Sequence, residues 1–126
     1  MKKVINTENA PAPIGPYNQA ILSNGTLYLS GQIPLNPKSG ELVSGDIKLE
    51  TKQSMENLKA ILTEAEMTFE NVVKSSIFLS DMNQFTEVNE IYASYFNAET
   101  APARETVEVA NLPKFVNVEI SMIAVK

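Results

Sequence analysis

The spacing of apolar residues changes period several times along this chain, and the changes predict an order of elements. Val4-Ile5-Asn6 has the composition of a short edge strand. Ala10-Pro11-Ala12-Pro13-Ile14-Gly15-Pro16 then imposes an extended, turn-rich path, because each proline fixes φ and biases its predecessor toward extended geometry. Residues 18–22 and 26–31 read as two strands joined through Ser23-Asn24-Gly25, where Asn-Gly favours a tight hairpin. Pro34, Pro37, Gly40 and Gly45 mark a loop. From Asp46 to about Glu66 the period becomes helical, with Ile47, Met55, Leu58, Ile61, Leu62 and Ala65 mostly on one stripe. A further strand over Val72–Leu79 carries a nearly continuous apolar run, which predicts burial on both faces.

Asp81 with Gln84 predicts an N-cap and capping-box partner for a second helix reaching about Asn97. That helix should bury Phe85, Val88, Tyr92 and Tyr95 or Phe96. Two last strands, about 104–110 and 115–125, flank Asn111-Leu112-Pro113-Lys114. The expectation is one α+β domain over residues 1–126, ordered β-β-β-α-β-α-β-β. Right-handed crossovers should place both helices on one face of a mixed sheet. The sequence supplies no cover for the other face, so oligomerisation through it is expected.

Composition narrows the chemistry. The 126 residues are enough for one core, and 44% hydrophobic with 20% charged residues is ordinary for a globular protein. There is no Cys, hence no disulfide, thiolate nucleophile or zinc-thiolate site, and no His, hence no imidazole base or ligand. Acid–base work must fall to carboxylates, Tyr, Lys, backbone groups or water. A net charge of −5 opposes nucleic-acid binding. The first residues turn polar too soon for a signal peptide, and no run approaches the ~20 apolar residues that span a bilayer. A soluble, cytoplasmic protein is expected.

Nine lysines accompany a single arginine, Arg104, in Ala101-Pro102-Ala103-Arg104. A guanidinium grips a carboxylate or phosphate through two parallel hydrogen bonds, which lysine cannot imitate, although an ordinary ion pair is the plainer reading. Strand alternation sets Arg104, Thr106 and Glu108 on one face and Val107 and Val109 on the other. If the last two strands form a hairpin, Thr106 lies against Glu119 and Val107 against Val118. Arg104 would then be diagonal to Glu119 on one face, barring a bulge. Tyr28-Leu29-Ser30-Gly31-Gln32 ends a strand with a glycine suited either to a close approach by a ligand or another backbone or, equally, to a bulge or turn. Gly15-Pro16-Tyr17 presents an aromatic on a stiff turn, more often packing than pocket wall. Asn89 interrupts the apolar stripe of the second helix, and a backbone partner is favoured over a ligand.

These segments together resemble the Rid family, the YjgF family of reactive intermediate deaminases. The matching pieces are Gly15-Pro16-Tyr17, Ser30-Gly31-Gln32-Ile33-Pro34, Asn57-Leu58, Phe85-Thr86-Glu87-Val88-Asn89, Pro102-Ala103-Arg104, and Val107 through Lys114 followed by Val118-Glu119-Ile120. The resemblance spans essentially the whole chain in order. It implies a chorismate-mutase-like homotrimer with sites between subunits, and hydrolysis of 2-imino and 2-enamino acids to 2-keto acids and ammonia without metal or organic cofactor.

By position, Arg104 would hold the substrate carboxylate and Glu119 would position or activate water. Tyr17, Ser30, Gly31 and Asn89 would line the pocket, and the Thr106 backbone N–H would help hold substrate or water. Glu105, Thr106 and Ser121 depart from the family's frequent Ser, Cys and Glu. Glu105 points away from Arg104 if the strand is regular, and would repel a substrate carboxylate if bent inward. A non-catalytic binder of a keto acid or amino acid that regulates a partner is the alternative. Ribonuclease or translation inhibition is the weakest fit, for want of His and of positive charge.

Overall fold

The computed structural model describes residues 1–126 and contains the predicted strands and helices in the predicted order. They are β1 (Lys2–Ile5), β2 (Ala20–Ser23), β3 (Thr26–Gln32), α1 (Ile47–Glu64), β4 (Val72–Leu79), α2 (Phe85–Ala93), β5 (Ala103–Glu108) and β6 (Val118–Val125). One six-stranded sheet runs β1-β2-β3-β6-β4-β5, antiparallel throughout except for the parallel β4–β5 pair. Both helices cover the same face. Met55, Leu58, Ile61 and Leu62 of α1 and Val88 and Tyr92 of α2 close a core over Leu27, Leu29, Ile77, Leu79, Val118, Ile120, Met122 and Ala124.

Local chemistry sets the helix boundaries. Asp46 caps α1, its carboxylate accepting from the N–H of Lys48 (2.9 Å) and of Leu49 (3.4 Å). Asp81 caps a single 3₁₀ turn (Met82–Gln84) rather than α2 itself, accepting from Asn83 N–H at 2.9 Å. No side-chain bond from Gln84 caps α2. The regular helix stops at Ala93; Ser94, Tyr95 and Phe96 continue it with N–H groups bonded three residues back, a tighter winding than the predicted α-helix to Asn97.

Two expectations are corrected. The last two strands do not form a hairpin: β5 pairs only with β4, and β6 lies between β3 and β4. Burial explains the choice. Val118, Ile120, Met122 and Ala124 are all buried and need neighbours on both sides, whereas exposed Arg104, Glu105 and Glu108 suit an edge strand. The α2 crossover delivers β5 to that edge, parallel to β4. Second, β4 is not buried on both faces. Ser75, Ile77 and Leu79 lie under the helices, while Val73 is exposed and Phe78 half-buried.

The face away from the helices is uncovered. Across it Val4, Ile21, Tyr28 and Ile123 pair in register on four successive strands, an apolar row with Tyr28 52% and Val4 47% exposed. Phe78 and Val107 pair on the same face farther along. No helix is long and apolar enough to cross a membrane.

Candidate functional site

Arg104 and Glu119 lie on opposite faces of the sheet, contrary to the hairpin expectation. Arg104 pairs with Ser75, which is fully buried and accepts from the Tyr92 hydroxyl at 2.9 Å beneath α2. Glu119 pairs with Phe78, one residue out of phase with the buried Ile77–Ile120 pair, and so projects from the uncovered face. Alternation within each strand is as the sequence predicts; the partner strand differs, because inserting β4 between β5 and β6 resets the parity linking them.

On the helical side, α2 forms a platform for Arg104. Its guanidinium carbon sits 5.0 Å from the Tyr92 ring centroid and 5.6 Å from that of Phe85, within cation–π range. Asn89, one helical turn from each ring, accepts from an Arg104 guanidinium N–H at 2.7 Å. The favoured backbone partner for Asn89 is thus replaced by the arginine itself. One donated bond leaves most of the five guanidinium N–H groups available, and Arg104 is exposed. Thr106 follows on the same face, its Oγ1 buried without a hydrogen-bond partner. Burial pushes the Tyr92 phenol above its ordinary pKa, against opposing pulls from Ser75 and Arg104. The sequence pattern places Phe85 and Tyr92 in the core; their positions four residues before and three after Asn89 also put all three on one platform.

On the uncovered face, Glu119 sits over a bulge in β3. Leu29 pairs with Met122 and Gln32 with Ile120, so β3 spends one extra residue around Ser30-Gly31. A Cβ at Gly31 would fall 2.1 Å from Glu119 Oε2, so any larger residue there would have to push the carboxylate aside. The bulge is present, and the group that comes close to Gly31 is the Glu119 side chain rather than a ligand or another backbone. Ser30 Oγ donates to Asn18 O (2.6 Å) and Ser30 N–H to Gln19 O (2.8 Å), fixing the bulge against the segment before β2. A cleft of about 470 Å³ opens here, walled by Ile14, Tyr17, Ile33, Pro113 and Lys114 around Ser30, Gly31 and Glu119. Half-burial pushes the Glu119 carboxyl above the usual carboxylate range.

Gln19 ties the proline-rich segment that carries Ile14 and Tyr17. Its side-chain N–H groups donate to the carbonyls of Thr7 (3.0 Å), Ala10 (3.2 Å) and Pro11 (2.9 Å), and its side-chain oxygen accepts from Thr7 N–H (2.6 Å). The far wall is the turn Leu112–Phe115. Here Lys114 (φ 56°) and Phe115 (φ 55°) both adopt the left-handed conformation that usually falls to Gly or Asn, at roughly 1–2 kcal/mol per residue.

Glu105 points from β5 onto the uncovered face, away from Arg104. It pairs with Lys74 Nζ at 2.8 Å and accepts from the Ser76 hydroxyl. Lys74 first, then Ser76, hold its carboxyl below the usual range. No three His, Cys, Asp or Glu side chains converge as a metal cage would require. A second groove of about 420 Å³ along the outer side of α1 mixes Lys38 and Lys59 with Glu56 and Glu64 and gathers no single charge.

Comparison with known proteins gives a consistent set of relatives. The sequence model described as Endoribonuclease L-PSP matches residues 7–126. A RutC family protein of Pyrococcus horikoshii is 55% identical, the alignment covering 100% of this chain and 99% of that protein. The mouse protein named 2-iminobutanoate/2-iminopropanoate deaminase is 50% identical over 100% of this chain and 93% of its own. The crystal structure of a Rid-family protein of unknown function from Yersinia pestis superposes with a TM-score of 0.97 at 51% identity, covering 100% of both chains.

Proposed function

The chain belongs to the Endoribonuclease L-PSP family, also known as YjgF/Rid, and from that premise we propose that it hydrolyses reactive 2-imino and 2-enamino acids to 2-keto acids and ammonia. The observation that carries this reading is Glu119. In a chain without His, it is a half-buried carboxyl beside Gly31 in a cleft, and burial raises its pKa from the ordinary carboxylate value, which suits a group that takes a proton from water and gives it back. The mouse relative's name supplies the substrate class.

Arg104, oriented by Asn89 and the two rings of α2, would take the substrate carboxylate, and the Thr106 N–H would assist. An enamine first tautomerises to the imine by protonation at C3. The protonated imine is already electrophilic at C2, so water needs orientation and a modest base. Glu119 would accept a proton as the water oxygen bonds to C2, then return it to the amino group so that ammonia leaves as the C–N bond breaks. The carbinolamine hydroxyl gives up its own proton to Glu119, and through it to the departing ammonia, as the C=O bond forms. The net change is protonated imine plus water to ketone plus ammonium. Tyr17, Ser30 and Gly31 would shape the pocket around this step. Ribonuclease chemistry finds neither an imidazole pair nor a basic surface here.

A site needing both Arg104 and Glu119 cannot form within one subunit, since the two occupy opposite faces. In this reading a second copy, docked over the uncovered sheet face, brings its Arg104 to the first copy's Glu119, and a closed homotrimer carries three such sites. The test couples a threonine dehydratase, as source of 2-iminobutanoate, to the appearance of 2-ketobutanoate. Wild type should accelerate the reaction and Arg104→Ala and Glu119→Ala should not. Refolding these two inactive variants together at equal amounts should restore about one quarter of wild-type activity, because one site in four then pairs two intact halves. Keto-acid binding without turnover would point to the regulator alternative, and acceleration by Arg104→Ala equal to wild type would remove the catalytic assignment.

A further inference from the structure

Glu50, in the first turn of α1, is the one charged side chain that folding buries, at 3% exposure. Its Oε1 accepts from Asn117 Nδ2 at 3.1 Å. Asn117 Oδ1 in turn accepts from the Ser80 hydroxyl at 2.9 Å, and Asn117 O accepts from Ser80 N–H at 3.1 Å. One half-buried asparagine is thus tied to α1 on one side and to the end of β4 on the other. Burial pushes the Glu50 carboxyl above the usual range; the Asn117 side chain and, more weakly, its backbone N–H pull it back, while Asp46 adds to the rise. Stability alone is a poor reason for this arrangement, since apolar side chains of the same shape could replace such a pair at little cost.

The place of Asn117 in the chain supplies another reason. Lys114 of the cleft wall lies three residues before it and Glu119 two residues after. The wall is the turn in which Lys114 and Phe115 are both left-handed, and its internal bonds are Phe115 N–H to Leu112 O (2.8 Å) and Val116 N–H to Pro113 O (3.3 Å). Backbone strained in this way persists when its surroundings fix it. On the other side, β4 and β6 pair Phe78 with Glu119 and Leu79 with Val118, and the Ser80–Asn117 bonds carry the pairing one step further. We infer that Glu50 is a positioning residue: through Asn117 it holds the junction between the Leu112–Phe115 turn and β6, and so sets the cleft wall against the Glu119 carboxyl. This inference rests on the deaminase reading for what Glu119 does in the cleft.

The experiment compares wild type with Glu50→Gln, Glu50→Ala and Asn117→Ala in the coupled dehydratase reaction across pH. Glutamine keeps the Oε1 acceptor, so Glu50→Gln should hold kcat within about twofold of wild type. The two alanine variants should lose about tenfold in kcat with KM changed less than about twofold, because the network does not touch Arg104. A loosened wall admits water to Glu119, so its pKa falls toward the ordinary carboxylate value and the acid limb of the rate profile moves to lower pH. The other titratable groups lining the cleft, Tyr17 and Lys114, are the same in all three variants. A residue that merely stabilises the fold would lower the melting temperature and leave kcat and the acid limb in place. That result overturns the inference, as does a Glu50→Gln as slow as Glu50→Ala. Should Glu50→Ala not fold, Asn117→Ala decides by the same readings. An NMR titration of the Glu119 carboxyl carbon, identified by its absence in Glu119→Gln, separates the two readings without turnover. If wild type hydrolyses no imine, the deaminase reading fails, yet a Glu119 pKa lower in the alanine variants than in wild type still upholds the positioning role; an unchanged or higher one overturns it.

Discussion

Gly31 shows how one atom's absence shapes the candidate site. A Cβ there would stand 2.1 Å from Glu119 Oε2 and 2.8 Å from Cδ. The obstructing atoms are the end of a flexible side chain, so Gly31→Ala is expected to change stability by less than about 1 kcal/mol. It should displace the carboxyl and lower kcat/KM by about a hundredfold, since misplacement of a reacting group by an ångström costs on that order; thermal melts beside steady-state kinetics check both. Glu119 itself carries a pH signature. Its folded pKa is raised by burial, so between the ordinary carboxylate value and the raised one the native state binds more protons than the unfolded chain. Stability from this group is therefore lost as pH rises through that window. Glu119→Gln should gain stability on wild type as pH rises from the ordinary carboxylate value upward, by less than about 1 kcal/mol after solvent screening and read as a higher relative melting temperature, while activity is lost. A wild-type advantage growing with pH would contradict the sign.

At the scale of elements, the proline-rich segment depends on one side chain. Gln19 is 2% exposed and makes all its side-chain bonds to the backbone of residues 7–11. Gln19→Ala should cost about 2–4 kcal/mol by leaving those groups unpaired, and should free the Thr7 amide to exchange with solvent, as hydrogen exchange can measure. Elements were legible from sequence wherever periodicity or punctuation was strong. The bounds of β4 were read to the residue, and α1 within two residues at its end, because the apolar stripe and the Asp46 cap agree. The β5–β6 relation was not legible: alternation tells which residues share a face of their own strand, but not which strand lies beside it. Arg104, Glu119, Asn89 and Tyr17 were recognisable as residue types, whereas their division between two faces depends on that pairing. The turn at Lys114 and Phe115 left no sequence signal either, since neither residue favours positive φ.

For the whole molecule, the uncovered face is the feature with the widest reach. The row Val4–Ile21–Tyr28–Ile123 crosses four strands without charge, and apolar surface of this continuity is the basis of the proposed docking of a second copy. Tyr28→Lys places a cation in the middle of the row without touching the core beneath the helices. Its expected effect is a molar mass in solution near that of one 13.8 kDa subunit, with helical circular dichroism retained and imine hydrolysis abolished. Full activity in a monomeric variant would contradict an intersubunit site.

The opposed placement of Arg104 and Glu119 also has a consequence for dosage. In the intersubunit reading an isolated chain holds two unmatched halves, so turnover per chain is not constant. It should fall steeply on dilution below the assembly constant, approaching the third power of chain concentration for total rate when three copies must meet. A cell expressing little of this protein would then have almost no activity, while a modest rise in synthesis would switch it on.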